Sequence, residues 1–360
     1  MKICIVTPSL GFGGAERSAA MQSIMLSEMG YEVHIVLISN LKSYDYKGTL
    51  CNLGILKDNS NTFYDKIKRI NFLRKYLIKN KFDFIIDNRL RNNSIIHEFG
   101  ICKYAYRKFK VIYVIHSSSY KKEILQNFYL KKWLLNSAHK IVAVNNRLLD
   151  LIRPFHNNKN MVCIENAIDL DYIRLQSNES LNIPFSYILF CGRLDEKSKN
   201  ISLLINAYAL SEIYIKGIKL IILGDGPDKS DYEQLVTRLK MNDYIIFKPF
   251  NSNPFVYMKH SLCTVLTSFY EGFGLVLIES LASGTPVISV DCETGPSEIV
   301  EHNVNGLLID PDSVNLLSEA FKSVIGDKDM LNRFRKNALN SVQKFRKNVI
   351  AEKWRVVLEN

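Results

Sequence analysis

The chain has 360 residues, of which 47% are apolar, and its formal net charge is +11. Such a length exceeds one ordinary core and predicts two domains. The sequence has no run of roughly eighteen apolar residues, so no membrane-spanning helix is predicted, and its apolar start is too short for a signal-peptide core. Seven scattered cysteines without a C-x-x-C pair argue against a disulfide framework and a zinc site, and favour reduced thiols in the cytoplasm.

The positive charge is concentrated in the first half. Residues 1–165 carry 26 Lys and Arg against 12 Asp and Glu, a net charge of +14, whereas the remainder carries 21 against 24, a net charge of −3. This asymmetry indicates an anionic surface or a large anionic partner for the first half, with nucleic acid and membrane headgroups both open. Ordinary solvated lysines are the alternative interpretation.

The first half alternates short apolar runs with a helical pattern. The helical pattern, GAERSAAMQSIMLSEMG, ends at Gly30. The apolar runs are predicted to be strands, and they read KICIVTP, EVHIVLIS, FDFIIDN, KVIYVIH and HKIVAVN. Runs that are apolar throughout are typical of a parallel sheet covered by helices on both faces.

The same pattern restarts in the second half. Predicted strands are SYILFCGRL, IKLIILGDGP, YIIFKPF, CTVLTS and TPVISV, and predicted helices are NISLLINAYALS and FGLVLIESLASG. A helical tail follows from Ser313. The sequence therefore predicts two doubly wound α/β domains joined near residues 167–184, whose ligands bind outside the carboxyl ends of the strands in a cleft between the domains.

A glycine-rich segment, SLGFGGAER, follows the first strand and opens a helix. Gly13 and Gly14 would let backbone N–H groups approach an anion at the positive end of that helix. A dinucleotide site is disfavoured, because the spacing is G-x-G-G and the second strand ends in Ser39 and Asn40 without an acidic residue for a ribose. The alternative is a tight turn that needs glycine.

Two cations follow the first strand of the second half. Arg193 and Lys199 lie in CGRLDEKSKN, and cations at this end of a strand can neutralise a diphosphate. Basic loops are also common as solvated surface, so this pattern alone is weak.

Two carboxylates, Glu271 and Glu279, bound the segment EGFGLVLIE. Eight residues span roughly 12 Å in a helix, whereas two carboxylates that act on one glycosidic bond lie roughly 5 to 9.5 Å apart. The spacing favours two carboxylates that read different ends of one extended ligand, such as the ribose hydroxyls and the sugar of one molecule. The alternative is that Glu279 caps a helix or pairs structurally and that Glu271 is exposed.

In combination, these motifs resemble the GT-B glycosyltransferases of family 4. The segments that carry the resemblance are GFGGAER, VIHSSS, VCIENAIDLDYI, CGRLDEKSKNISLLINAY, LIILGDGPD, SFYEGFGLVLIESLASGTPVISVDCETGPSEIV and NGLLID. Ala167 replaces a glycine of the family pattern, and residues 41–80 match little. The resemblance implies two Rossmann-like domains, 1–167 on the acceptor side and 168–344 for the nucleotide-sugar, with a C-terminal helix at about 345–360 that returns to the first domain.

The resemblance also implies a role for each residue. Glu279 would hold the ribose hydroxyls of a nucleotide-sugar, and Glu271 would contact the donor sugar near its anomeric centre. Arg193 and Lys199 would bind the diphosphate, with Lys197 as a second candidate because Lys199 stands one residue further from the arginine than in many members.

Backbone groups would make further contacts with the donor. Gly13 and Gly14 would complete the phosphate site, and the N–H groups near Phe273, Gly274 and Leu275 would contact sugar or phosphate. His116 would lie on the acceptor side of the reacting centre, as a catalytic candidate. The family usually needs no metal or other cofactor. The D-x-D pattern of Asp169 and Asp171 falls in the interdomain segment, and we interpret it as structural.

The implied reaction transfers a hexose or N-acetylhexosamine, with retention, from a nucleotide-sugar to a hydroxyl of a growing glycan. UDP is the expected nucleotide from family frequency, and a lipid-linked, lipopolysaccharide or capsule precursor is the expected acceptor. The alternatives are an epimerase that acts on a nucleotide-sugar, and a non-enzymatic basic adaptor for membranes or nucleic acid.

The basic half offers two candidate membrane segments. ICKYAYRKFK and YKKEILQNFYLKKWLL interleave Lys and Arg with aromatic residues and leucine, as segments at an anionic bilayer surface do. An ordinary amphipathic helix packed on its own sheet is the alternative. We expect a cytoplasmic enzyme, peripheral at the inner face of the cytoplasmic membrane, with no nucleic-acid partner.

Overall fold

The computed structural model describes residues 1–11, 13–56, 63–89, 95–117, 138–155 and 160–359. The chain divides into two compact units, one formed by residues 1–167 with 347–360 and the other by residues 168–346. Across the described ranges, no helix is long and apolar enough to cross a membrane.

The first unit contains, among its described residues, seven strands: β1 Lys2–Thr7, β2 Glu32–Leu37, β3 Thr49–Asn52, β4 Phe84–Asp87, β5 Lys110–Ile115, β6 Lys140–Ala143 and β7 Met161–Cys163. All pair in parallel, in the order β3-β2-β1-β4-β5-β6-β7. The apolar residues of β1 are fully buried, as expected for a sheet covered on both faces.

Among the described residues, the helices of this unit are Gly14–Glu28, Phe63–Asn80, Ile95–Phe99 with a π-helical continuation Gly100–Ala105, Asn146–Ile152 and the C-terminal Lys347–Glu359. Polar contacts hold the C-terminal helix on this unit, and one of them is the ion pair of Lys347 with Glu28 at 3.1 Å. Lys353 Nζ lies 2.5 Å from Glu165 Oε2, and the Tyr31 hydroxyl donates to Glu359 at 2.6 Å. Trp354, on the inner face of this helix, is buried.

The second unit contains six strands: β8 Tyr187–Cys191, β9 Lys219–Leu223, β10 Ile245–Lys248, β11 Thr264–Leu266, β12 Val287–Val290 and β13 Gly306–Ile309. They pair in parallel in the order β10-β9-β8-β11-β12-β13. Its helices are Leu170–Ser177, Glu196–Lys199, Ile201–Ser211, Lys229–Arg238, Phe255–His260, Leu275–Ala282, Val314–Gly326 and Lys328–Ser341. One apolar core joins the sheet to the helices Ile201–Ser211 and Val314–Gly326.

Both sheets have a point where the strand order reverses. In the first unit it lies between β1 and β4, and in the second between β8 and β11. Loops that leave the carboxyl ends of such neighbouring strands diverge and form the crevice in which doubly wound sheets bind ligands. The fold confirms the two predicted doubly wound domains and places the glycine segment after β1 and the Arg193 segment after β8.

Some predictions of individual elements need correction. The first helix ends at Glu28, two residues before Gly30, whose φ is +86°. Strands β3, β7 and β13 and the helix Phe63–Asn80 were not predicted, because the strands are short and the helix has apolar residues on more than one face. YKKEILQNFYLKKWLL lies outside the described residues. Within ICKYAYRKFK the structure buries Ile101 and Tyr106 and leaves the basic residues at the surface.

Candidate functional site

An ion pair joins the loops that follow β8 and β11. Lys199 ends the short helix Glu196–Lys199, and its Nζ lies 2.5 Å from Glu271 Oε1. The Ser268 hydroxyl donates to the same oxygen at 2.7 Å, and the Thr294 hydroxyl donates to the Glu271 carbonyl. The side chains of Lys199 and Glu271 are 22% and 13% exposed, so their attraction is screened less than that of a surface pair.

Two backbone contacts bring this pair together. The Thr267 hydroxyl donates to the Lys199 carbonyl at 2.8 Å, and the Phe269 N–H donates to the Ser198 carbonyl at 3.0 Å. Hydrogen bonds therefore hold the segment after β8 against the segment after β11. The structure thus brings together two residues that the sequence assigned to one donor molecule.

The short helix that carries Lys199 is anchored from its other side. The Glu196 N–H donates to Asp228 Oδ2 at 2.7 Å, and Glu196 Oε2 accepts from the Tyr232 hydroxyl at 2.9 Å and from the Ser202 N–H at 3.2 Å. None of these residues was among the predicted site positions. Asp228 could have been found from the sequence, because it directly follows the turn GDGP at the carboxyl end of β9.

Glycine shapes the loop between β11 and the helix Leu275–Ala282. Gly274 caps this helix with φ +94°. Gly295 has φ +100°, and a Cβ built there would lie 2.7 Å from the Phe273 carbonyl oxygen. The Phe273 ring is buried and meets the Phe345 ring edge-on, with centroids 5.4 Å apart. Phe273 therefore has a packing role, and the first-turn N–H groups of the helix lack intrahelical acceptors.

Glu279 lies in the second turn of the helix Leu275–Ala282 and is only 4% exposed. Its backbone carbonyl accepts from the Ser283 hydroxyl at 2.9 Å. A carboxylate buried this deeply is costly unless polar groups satisfy it. The alternative in which Glu271 is exposed is wrong, because Glu271 is largely buried and paired with Lys199.

Arg193 extends into solvent from a closely packed loop. Its side chain is 68% exposed, and its Nε lies 4.0 Å from Asp195 Oδ2. The loop is packed on the turn after β9, because a Cβ on Gly224 would lie 1.9 Å from the Gly192 carbonyl oxygen. Lys197 is exposed as well. Of the two candidate lysines, Lys199 is the one that meets Glu271.

The carboxylate of Glu16 lies against Gly13 in the glycine segment of the first unit. A Cβ on Gly13 would lie 2.2 Å from Glu16 Oε2, the end of a flexible side chain that can shift, and the φ of 173° is ordinary extended backbone. The Gly13 N–H donates to the Tyr44 hydroxyl at 3.4 Å, and Gly14 opens the helix. Burial raises the pKa of Glu16. An anion at this helix end would have to share the space with Glu16.

His116 directly follows β5 and is held by a side-chain relay. Its Nε2 lies 2.8 Å from Asn88 Oδ1, and the Asn88 amide donates to Gln22 Oε1 at 2.9 Å. The amide nitrogen of Asn88 donates to Gln22, so the group of Asn88 that faces His116 is its oxygen, an acceptor. His116 must therefore donate from Nε2, which places the ring proton on that nitrogen. Burial lowers the pKa of His116 to about 4. The ring is therefore neutral at pH 7, with Nδ1 as an acceptor. Sequence analysis missed Asn88 and Gln22.

The D-x-D pattern has two separate structural roles. Asp169 caps the helix Leu170–Ser177 by accepting from the Tyr172 N–H at 3.1 Å. Asp171 lies 3.5 Å from Arg346. In the part of the chain that the structure describes, no three His, Cys, Asp or Glu side chains are grouped as a metal site requires.

Comparison with known proteins matches most of the chain to glycosyltransferases. The family model described as Glycosyltransferase Family 4 matches residues 12–172, and the one described as Glycosyl transferases group 1 matches residues 176–341. N-acetylgalactosamine-N,N'-diacetylbacillosaminyl-diphospho-undecaprenol 4-alpha-N-acetylgalactosaminyltransferase of Campylobacter jejuni is 29% identical over 97% of both chains.

Solved structures share the fold over the whole chain. HepE of Anabaena, solved in complex with UDP, superposes with a TM-score of 0.76 at 19% identity and covers 100% of both chains. Sucrose-phosphate synthase of Thermosynechococcus elongatus superposes with a TM-score of 0.81 at 20% identity over 100% of this chain and 98% of its own.

Both family models describe glycosyltransferases and together span residues 12–341 apart from a short joint. The interpretation as a non-enzymatic adaptor is therefore wrong, because the chain is a transferase. Its sequence motifs, its two reversing parallel sheets and these matches agree: the chain belongs to the GT-B glycosyltransferases of family 4.

Proposed function

We propose that the chain is a retaining glycosyltransferase that moves a hexose or N-acetylhexosamine from a UDP-sugar to a hydroxyl of a lipid-linked glycan. The observation that carries the proposal is the pair of Lys199 and Glu271 at the reversal point between β8 and β11. Support for the donor comes from HepE, which was solved with UDP. Support for the acceptor comes from the Campylobacter relative, whose name specifies a diphospho-undecaprenol acceptor.

The cations have the task of stabilising the departing diphosphate. Negative charge develops on the phosphate oxygen as the bond to the sugar breaks, and fixed cations aimed there are often the largest catalytic term. Lys199 is pre-positioned by its bond to Glu271, so little reorganisation is required. Arg193 carries an exposed guanidinium on a closely packed loop, and its side chain would turn toward the phosphates.

The two glutamates have different tasks. Glu271 is pinned through Oε1 by Lys199 and Ser268, which leaves Oε2 to accept from a hydroxyl of the transferred sugar. Glu279 would accept from the ribose hydroxyls, since a carboxylate can accept several hydrogen bonds at once. Glu271 would thus act at the sugar, and Glu279 would act in donor binding.

Retention can proceed on one face of the sugar. The oxocarbenium-like transition state would be attacked from the side that the diphosphate leaves, and a phosphate oxygen would take the acceptor proton. His116 would accept a hydrogen bond through Nδ1 on the acceptor side, because its pKa of about 4 keeps the ring neutral. In this role the ring orients a hydroxyl, whereas a protonated ring would act as a general acid.

The test is a transfer reaction with UDP-sugars and a polyprenyl-diphosphate glycan acceptor, with the anomeric configuration of the product read by NMR. The proposal expects an α-linked product from an α-linked donor. An inverted product would contradict retention. A new nucleotide-sugar formed without acceptor would show an epimerase instead.

A further inference from the structure

The helix Phe63–Asn80 presents an outer face that is unlike an ordinary solvated helix face. Four large apolar residues are exposed along this face: Tyr64, Ile67, Phe72 and Ile78. At 3.6 residues per turn they fall within an arc of about 140° around the helix axis. Tyr64 is 74% exposed and Ile78 is 52% exposed. Single exposed apolar residues are normal, but a contiguous set marks an interaction surface.

The opposite face of the same helix already forms the core contact. Leu73 and Leu77 are buried, and a Cβ on Gly100 would lie 3.0 Å from Ile70 Cδ1. The outer apolar residues are therefore not needed to hold the helix on its own unit. They form a second apolar stripe beside the one that packs inward.

Basic residues are interleaved with the outer apolar residues. Lys68, Lys75 and Lys79 are exposed on the same side as the apolar set. The single carboxylate of the helix, Asp65, is buried. Arg74 lies over the Tyr104 ring at 4.4 Å. The outer face is therefore positive throughout.

The patch continues beyond the helix on both sides. A groove of 310 Å³ separates Leu56 from the helix face between Tyr64 and Lys75, and Ile55 beside it is 70% exposed. On the other side Tyr104 is exposed on the neighbouring π-helix. The surface is thus wider than one helix face.

We infer that the outer face of the helix Phe63–Asn80 is a docking surface for an anionic lipid bilayer. Charge complementarity selects this partner, because lysines that extend between aliphatic and aromatic residues suit anionic headgroups above an acyl boundary. A nucleic acid would leave Ile67 and Ile78 in water. The inference rests on the proposed function, in which the acceptor is carried by a membrane lipid.

The test is flotation of the full chain with vesicles of phosphatidylglycerol in phosphatidylcholine, and with phosphatidylcholine alone, at low salt. One variant combines Lys68→Gln with Lys75→Gln, and another combines Phe72→Ser with Ile78→Ser. Matched controls carry equally exposed residues of the second unit: Lys322→Gln with Lys336→Gln, and Ile215→Ser with Leu316→Ser.

We expect the wild type and both controls to float with anionic vesicles, and partition of the charge variant to fall roughly fivefold for each lysine. The apolar variant should lose flotation while its thermal unfolding stays cooperative. Equal flotation of helix variants and controls, or no flotation of the wild type, would overturn the inference.

Calorimetric titration of UDP into the same preparations separates this inference from the proposed function. UDP binding without vesicle binding would overturn the docking surface alone. If the wild type bound vesicles, the helix variants did not, and UDP bound to neither, the docking surface would stand and UDP would be the wrong donor nucleotide.

Discussion

Lys199 and Glu271 lie 72 positions apart in the chain, and their side chains meet at 2.5 Å. Each residue lies in the segment that follows the carboxyl end of a strand, and these two strands, β8 and β11, flank the reversal point of the second sheet. The contact pre-arranges a cation and a carboxylate on one small surface. In our account these two groups act on the two sides of one bond, the carboxylate at the sugar and the cation at the diphosphate.

Lys199→Met should lower kcat by roughly a hundredfold, because it removes a cation from the developing phosphate charge. Lys197→Met should have a much smaller effect, since Lys197 is exposed and Lys199 is the lysine that meets Glu271. Steady-state kinetics with the preferred nucleotide-sugar measures both variants. A larger loss in Lys197→Met would assign the phosphate role to that lysine instead.

Glu279→Gln and Glu271→Gln should differ in which kinetic parameter they change. Glu279→Gln should raise the KM for the donor roughly tenfold with little change in kcat, as expected when a ground-state contact is lost. Glu271→Gln should lower kcat and leave UDP affinity near that of the wild type. Wild-type kinetics for both variants would refute both assignments.

Gly295→Ala should destabilise the second unit by about 2 kcal/mol, because φ is +100° and the new Cβ would meet the Phe273 carbonyl at 2.7 Å. Gly284→Ala is the matched control: φ is +80°, but a Cβ there has no atom within 4 Å. Its cost should be about 1 kcal/mol. Urea unfolding measures both, and equal costs would show that the Phe273 carbonyl simply moves aside.

The depressed pKa of His116 should make the protein less stable in acid. The folded pKa is about 4 against an ordinary value of 6.5, so the unfolded chain binds more protons between these values and stability falls as the pH drops from 6.5 to 4. The loss should be roughly 2 kcal/mol, since the largely buried ring keeps some solvation. His116→Gln should remove this part of the pH dependence, as measured by urea unfolding at several pH values. An unchanged pH profile would contradict a neutral, buried His116.

Much of the fold could be predicted, because the central strands of both sheets are buried on two faces and their sequences are almost wholly apolar. The segment KICIVTP is an example, since β1 occupies its central part. The helix Phe63–Asn80 could not be predicted, because its outward Tyr64, Ile67, Phe72 and Ile78 obscure the periodicity of the inward face.

The site could be predicted only in part. The resemblance supplied Lys199 and Glu271 separately, but their contact depends on two strands becoming neighbours across 72 positions. Asn88 and Gln22 carry no motif, and their relay to His116 exists only once β4, β5 and the first helix have packed. Polar residues that directly follow a parallel strand, as Asn88 follows β4, are the available signal.

The most direct test of the central claim is the release of nucleotide diphosphate from a panel of UDP- and GDP-sugars, measured with the wild type and with Glu271→Gln. We expect the wild type to release UDP from one UDP-sugar, slowly into water and faster with a polyprenyl-diphosphate glycan, and Glu271→Gln to bind UDP but release it far more slowly. Release at equal rates by both proteins, or no release from any donor, would contradict a sugar-transfer site built around Lys199 and Glu271.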